Sequence, residues 1–387
     1  MSFVLVGYWA AVLLLAAVWV LYPLMLWLLV KIRRPAVEAN VGLYHPTVSV
    51  VIAAHNEAGN LAERIENIYA MEYPADRLQV VIASDGSTDS TRELIADLRQ
   101  KFEKLTLVDV FPQGGRANAH NKAIPHCTGD VLLFTDAETV FAADFLKRIV
   151  RPFEDRSVGF ASGILKYRNE ATSQVTRSAG LYWHFEYFLR TQESLLGVYA
   201  FGSGACCAVR RDLYRDIPPA GDVDFTTPLD VVLAGYRCKH VGDAVAYEVM
   251  PETPEREFRA RVRMTAKNLY GTLMRWGWKG VAYHPIFTSV ILLHKIGRWM
   301  TPFMMLTVLA FNFPLLNEGV IYVVALLCQL GFYALAISGY WGIRLPLANQ
   351  AYSFCLANVG FLVGVTKVLR GDVPKFYKPV SQTKSGD

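Results

Sequence analysis

The chain has 387 residues, is 53% hydrophobic and carries only 19% charged residues, too apolar for an ordinary soluble enzyme and suited to a membrane protein with one catalytic domain. A net charge of +5, without any basic run interleaved with aromatics, argues against a nucleic-acid face. The six cysteines show neither a CxxC pair nor a framework spacing, which fits a reduced, cytosolic-side domain.

Phe3 to Val30 runs without a charge, long enough for one tilted span and too short for two. It lacks the basic start and short apolar core of a cleaved signal peptide. Lys31, Arg33 and Arg34 then place the following domain in the cytoplasm, after a linker from Pro35 to Pro46. Val48–Ala53 and Leu78–Ala83 are Val- and Ile-rich runs, the mark of parallel strands covered on both faces. Between them Leu61, Ile65, Ile68 and Tyr69 form one helical stripe. Strand, helix, strand is the crossover unit of an α/β sheet. The two strands lead into His55-Asn56-Glu57 and Ser84-Asp85-Gly86-Ser87, the sheet edge at which such folds bind ligands. No GxGxxG fingerprint is present, which argues against a dinucleotide site of the usual kind.

Further strand patterns follow at Leu105–Val110, Asp130–Phe134 and Phe160–Leu165. Helical patterns cover Ala143–Phe153, an aromatic-rich stretch Ser178–Leu196, Asp222–Gly235 and a basic segment Glu257–Leu273. The globular domain is thus expected over 47–280, after a membrane helix at 1–31. Past Gly280 the chain turns apolar again. His294, Lys295 and Arg298 among apolar residues predict a helix lying in the membrane interface over 281–299. Thr301–Leu316, Val320–Tyr340 and Leu345–Val365 are three further span candidates within a membrane region and tail at 300–387. One span plus three puts the tail outside, whereas its Lys367, Arg370, Lys375 and Lys378 prefer the inside. Either the tail is an exception or one candidate is re-entrant.

Chemistry gathers at the strand ends. Asp85 either contacts a ligand or closes the turn, with Asp89 better placed to cap the next helix. Asp136 and Glu138, two apart after a buried strand, point the same way in an extended segment. They suit one hard divalent ion completed by phosphate oxygens, or a helix cap. Arg116, Asn118, Asn121 and Lys122 lie on a Gly-Gly loop, which suits a sugar-phosphate or is a solvated turn. Asp222, Asp224 and Asp230 surround a helix start and offer N-caps or a general base. Arg256, Arg259, Arg261 and Arg263 form either a lipid-facing basic stripe or a source of charge for a leaving diphosphate.

The order of these motifs resembles the inverting family-two glycosyltransferases of GT-A fold, an α/β, Rossmann-like mixed sheet, and among them the membrane-embedded cellulose, chitin and hyaluronan synthases. The resemblance covers about Thr47 to Leu273. VSVVIAAHNEAGNL is similar to the opening strand and NE pair, where Ala54 and Glu57 border the nucleotide. SDGSTDST resembles DDxSxD, with Asp85 at the uridine-binding position. GGRANAHN resembles GKxxALN, with Arg116 in place of Lys and Asn121 nearer the sugar. TDAE resembles the DxD motif, with Asp136 and Glu138 as metal ligands and Asp136 also on the nucleotide. GSGACCAVRR resembles the turn beneath the donor sugar, at Gly204. Counting back from Gly235-Tyr236-Arg237 puts the family's base at Asp224, with Asp230 next. PETPEREFRARVRM resembles the segment ending in QxxRW: Arg263 matches the Arg, while Ala260 and Met264 replace Gln and Trp.

The resemblance implies transfer of a sugar from a nucleotide sugar, a UDP-sugar by preference, to a glycan or lipid-linked acceptor in polysaccharide synthesis. It implies Mg²⁺ or Mn²⁺, membrane lipids as surroundings, no nucleic acid, and a bacterial inner-membrane location with the catalytic domain cytoplasmic. Two alternatives stand beside it: transfer of a single sugar to a lipid carrier such as polyprenyl phosphate or a ceramide-like lipid, and an inactive membrane scaffold or transport component.

Overall fold

The structure, a computed structural model, describes residues 2–34, 44–169, 174–249, 253–343 and 345–373. Most of the expected linker, Pro251 and Glu252 of the PET stretch, and Lys375 and Lys378 of the tail lie outside the described residues.

One eight-stranded sheet carries the domain. Its strands are β1 (Val48–Ala54), β2 (Leu78–Asp85), β3 (Leu105–Val110), β4 (Val131–Thr135), β5 (Val140–Phe141), β6 (Val158–Tyr167), β7 (Cys207–Arg210) and β8 (Arg237–Glu248). Their order is β3-β2-β1-β4-β7-β6-β8-β5. The first four strands are parallel and in tight register, Val48 opposite both Leu78 and Val131. β7 runs antiparallel to β4 and β6, which makes the sheet mixed. The parallel half is the part predicted from the apolar runs. β5, β7 and β8 are strands the hydrophobic pattern does not announce: two are very short, and β8 (RCKHVGDAVAYE) mixes polar and apolar residues without strict alternation.

Alternate side chains along a strand serve opposite faces. Val50 and Ile52 join a core with Leu61, Ile65 and Ile68 from the helix Ala58–Tyr69, Ile95 from Thr91–Lys101, and Phe145 and Ile149 from Phe145–Val150. Val51, Val81 and Phe134 face the other way, toward the helices Arg116–Ala123 and Val223–Leu233. This second core continues without a break into Trp299, Phe361 and Val365 of the C-terminal apolar helices.

Among the described residues four helices are long and apolar enough to cross a membrane: Phe3–Arg33, Pro285–Glu318, Val320–Tyr340 and Ala348–Leu369. The second departs from the expectation of a separate interfacial helix ending near Trp299. The chain stays helical from Pro285 through Asn312, with π-helical geometry at Ile291–Ile296. The reason is that His294, Lys295 and Arg298 do not face outward. All three are buried against the aromatic helix Gln174–Leu196. Arg298 Nη1 donates to Glu186 at 2.7 Å, Lys295 Nζ also reaches Glu186, and His294 bridges Glu186 (3.2 Å) and Glu193 (2.6 Å). Tyr22 of the N-terminal helix donates to Glu193 at 2.6 Å. The polar residues that suggested a membrane surface are the seam between the domain and two apolar helices.

Glu186→Gln keeps the shape of this seam and removes the charge shared by Arg190, Lys295 and Arg298. Leaving buried charges unbalanced costs about 3–5 kcal/mol. The thermal unfolding midpoint of the detergent-solubilised protein should therefore drop, and adding Lys295→Met should restore part of it. An unchanged midpoint in the single variant would show that the seam carries no structural weight.

Candidate active site

The carboxyl ends of β1 and β2 are stitched together before any ligand is considered. Asn56, in left-handed geometry at φ 58°, accepts the Thr88 N–H at 2.7 Å through its side-chain oxygen. Glu57 N–H donates to Thr91 Oγ1 at 2.9 Å, and His55 Nδ1 to the Asp85 carbonyl at 2.7 Å. Asp89 accepts from the Thr91 amide at 3.0 Å, and its hydrogen bonds outweigh desolvation and hold its carboxyl below the usual range. Asp89 thus bonds the first residue of the helix Thr91–Lys101 from the position before its N-cap, Ser90, and Asp85 is left for another task.

That task is to build a loop. Asp85, 4% exposed, accepts the Gly114 N–H at 2.8 Å and the Gly115 N–H at 2.7 Å on its two oxygens. Gly115 has φ 86°, a conformation that favours glycine, and it launches the helix that begins at Arg116. The guanidinium of Arg116 ion-pairs with Asp136, just past β4, and Nη2 also donates to the Gly204 carbonyl at 3.1 Å. A Cβ on Gly204 would stand 3.2 Å from Arg116 Nη2 and 3.5 Å from Asp224 Oδ1. Three expected residues from distant parts of the chain therefore meet around Arg116: Asp136, Gly204 and Asp224.

Asp224 is placed by its backbone, whose carbonyl accepts the Gly202 N–H at 2.8 Å. Desolvation, and then the nearby Asp222, push its carboxyl above the usual range, against the pull of Arg116. Asp222 caps the same helix and pairs with Lys267 at 2.5 Å. Asp230 is elsewhere: its carboxylate lies 3.5 Å from Arg275, and burial pushes it up to about 6.

Around Asp136 the site is crowded with like charge. Desolvation, with Asp136 among the neighbouring carboxylates, raises Glu57 and Glu138, and takes Glu248 at the end of β8 up to about 8. Glu248 accepts from Thr139 at 2.5 Å, tying the 136–139 turn to β8. Beneath lies Arg64, 1% exposed. It donates to Thr135 at 2.8 Å and sits 4.0 Å above the Phe141 ring; desolvation pushes it down to about 9, against the pull of Asp136 and Glu248. Among the described residues no three Asp, Glu, His or Cys side chains converge into a closed metal site. Two hard carboxylates on one turn, in a field this negative, fit an open site for a divalent cation completed by ligand oxygens.

Other expected residues separate. Asn121 accepts from Tyr214 (2.7 Å) and the Ile217 amide (2.9 Å) and donates to the Ile217 carbonyl (2.9 Å). Those bonds pin the 214–217 segment and engage both ends of the Asn121 amide. Ala54 is buried at the end of β1. The four arginines of the basic helix Pro254–Arg275 divide: Arg256 and Arg259 are exposed, Arg263 is half-buried, and Arg261 is buried, bonded to Glu257 at 2.7 Å and 4.2 Å over Tyr182. Arg263 lies one turn before Lys267 and so shares its stripe toward Asp222. Sequence reasoning missed Arg64, Glu248 and Lys267. Only Arg64 left a signal, a charge inside the apolar stripe of Leu61, Ile65 and Ile68.

Residues 49–218 match the family model described as Glycosyl transferase family 2. That segment, 49–218, thus matches a family 2 glycosyltransferase domain, and the mixed α/β sheet that carries it is of GT-A type. The match stops short of Asp224 and Arg263. Among named relatives, an N-acetylglucosaminyltransferase of Bradyrhizobium diazoefficiens is 27% identical over 252 residues, covering 60% of this chain and 50% of the relative. A beta-monoglucosyldiacylglycerol synthase of Nostoc is 25% identical over 66% of this chain and 53% of the relative. A poly-beta-1,6-N-acetyl-D-glucosamine synthase of Staphylococcus epidermidis is 24% identical over 73% and 67%. The chain spans about half the length of the first two. A mannosyltransferase from Pyrobaculum calidifontis, solved with GDP-Man and Mn²⁺, shares the fold at a TM-score of 0.72, with 24% identity over 94% of this chain and 99% of that one.

Asp85→Asn replaces one carboxylate oxygen by a donor facing a backbone N–H. A buried donor left without an acceptor costs about 1–3 kcal/mol, so the protein should unfold at lower temperature. Amide exchange at Gly114 and Gly115 should accelerate; unchanged exchange there would remove Asp85 as the loop's anchor.

Proposed function

We propose that this protein is a membrane-bound, inverting glycosyltransferase that moves a hexosyl unit from a nucleotide sugar, a UDP-sugar by preference, to a glycan or lipid-linked acceptor in polysaccharide synthesis. The observation that carries the reading is the meeting of Asp136, Gly204 and Asp224 around Arg116. A candidate metal carboxylate and a candidate base thereby adjoin one arginine. The family match, the relatives named for N-acetylglucosamine and glucosyl transfer, and four apolar helices support it. The domain would face the cytoplasm of a bacterial cell, since Lys31, Arg33 and Arg34 follow the first apolar helix.

Asp136 and Glu138 would hold Mg²⁺ or Mn²⁺, which balances the charge of a departing diphosphate. The GT-A mannosyltransferase solved with Mn²⁺ is in keeping with this. Ala54, Glu57 and Asp85 would border the nucleotide, with Arg116 and Arg263 available to its phosphates. Gly204 would lie beneath the donor sugar, where an added side chain would press on the Arg116 guanidinium. Asp224 would take the acceptor hydroxyl's proton, and a single in-line displacement inverts the anomeric carbon.

One observation favours a lipid acceptor. The apolar helix Ala348–Leu369 packs directly on the basic helix: Cβ atoms on Gly360 and Gly364 would stand 2.8 Å from Arg261 and 2.7 Å from Thr265. The site-facing helix thus borders the membrane helices, in line with the relative named for glucosyldiacylglycerol synthesis. Radiolabelled donor given to membranes separates the readings. A single sugar in the organic phase supports the lipid acceptor, and a high-mass polymer supports chain synthesis.

Asp224→Asn should lower turnover by roughly 10²–10⁴-fold while leaving nucleotide affinity nearly intact, whereas Asp230→Asn should have a much smaller effect. The opposite ranking would move the base to Asp230, and no effect of either on a confirmed activity would dismiss both.

A pH profile gives a second test. A base must be ionised, so kcat/KM should fall as the pH drops through the raised pKa of Asp224. Asp222→Asn removes a carboxylate that raises it, so the acid limb should move to lower pH. A limb that stays in place would separate Asp224 from the titration.

A further inference from the structure

The two arginines that balance the acidic edge are not equivalent. Arg64 is fixed: it is 1% exposed, bonded to Thr135 and Asn67 at 2.8 and 2.7 Å, and covered by Phe141. Arg116 is movable. Its side chain and that of Asp136 are 32% and 30% exposed, and ion pairs this open to water are weak. Nη2 is divided between the Asp136 carboxylate and the Gly204 carbonyl. Arg116 also feels the charge of Asp222 and Asp224. It is thus a single cation standing where at least two of the site's acids meet.

We propose that Arg116 is the resident counter-ion of the metal site, which occupies Asp136 until a divalent cation displaces it and then turns to the donor's diphosphate. This rests on the reading of Asp136 as a metal ligand. The physical reason is competition. A carboxylate oxygen in an ion pair with a guanidinium has lost much of its attraction for a second cation, and a +2 ion and a +1 guanidinium repel at that distance. Displacement does not strand the arginine in an apolar pocket, because it is already partly in water. It leaves a planar, forked donor suited to phosphate oxygens. Metal binding and diphosphate binding are coupled through one side chain, and the coupling acts in both directions.

The sign of the effect distinguishes this from an ordinary nucleotide contact. A residue that only touches nucleotide leaves metal affinity unchanged when nucleotide is absent; a counter-ion weakens it. Mn²⁺ binding to the full-length, nucleotide-free protein in detergent is measured by the loss of the free-ion electron paramagnetic resonance signal. Arg116→Gln should bind Mn²⁺ roughly three- to tenfold tighter than the unmodified protein. Asp136→Asn should bind it at least about tenfold more weakly, and Arg116→Gln added to Asp136→Asn should give no gain. With UDP or GDP present, the enhancement of nucleotide binding by Mn²⁺ should shrink in Arg116→Gln. Thermal unfolding checks that the variants fold, and Arg116→Met, which keeps the apolar stem, repeats the measurement if the glutamine variant does not. Equal or weaker Mn²⁺ binding in the folded Arg116 variant, with Asp136→Asn weakened, overturns the counter-ion role and leaves the metal reading standing. Undiminished Mn²⁺ binding in Asp136→Asn overturns the metal reading itself.

Discussion

Like charges crowded at one edge of a sheet form the constraint on which this site depends. Parallel strands β1, β2 and β4 end together, and their turns bring Glu57, Asp85 and Asp136 to one edge, which Glu138, Glu248 and the Asp222–Asp224 helix start then surround. Such a group cannot stay ionised and close without compensation. The fold supplies it in three forms: backbone amides for Asp85, the buried Arg64 for the β4 end, and the partly exposed Arg116 for Asp136. Arginine rather than lysine at position 116 matters here. A planar fork reaches a carboxylate and a carbonyl together, which a single ammonium point charge does less well.

A second electrostatic device joins the domain to the apolar helices. Glu186 gathers Arg190, Lys295 and Arg298, while Glu193 takes Tyr22 and His294. Lys295 also lies 5.0 Å over Phe201 and 5.9 Å from Phe225. Those rings adjoin Gly202 and Asp224, so the seam abuts the residues that position the candidate base. Helices that could lie in a bilayer and strands that carry the chemistry share one continuous core. The apolar region is therefore part of the wall of the domain.

The sequence by itself determined the parallel half of the sheet. Four apolar runs and one amphipathic crossover helix are local patterns, and burial on both faces leaves little freedom in how they read. The strand-end acids were legible for the same reason, since a polar residue directly after a buried strand lies at a known edge. The apolar stretches also stood out by length and composition alone. Resemblance of motif order supplied Asp224 over Asp230, a choice the three acids at that helix start did not make themselves.

Only the tertiary structure decided which polar residues are partners. His294, Lys295 and Arg298 read as a surface stripe because their counter-charges stand more than a hundred positions away, on the aromatic helix. The partners of the Asn121 amide, Tyr214 and Ile217, are likewise distant in the chain. Strand β8 stayed hidden because its buried positions Cys238, Val241, Ala244 and Ala246 follow no strict alternation, its pairing with β6 being broken by register shifts. Glu248, at the end of that strand, was hidden with it. Hydrophobic periodicity is a local property and survives in one dimension; the pairing of charges and amides depends on long-range proximity, which a single sequence does not carry.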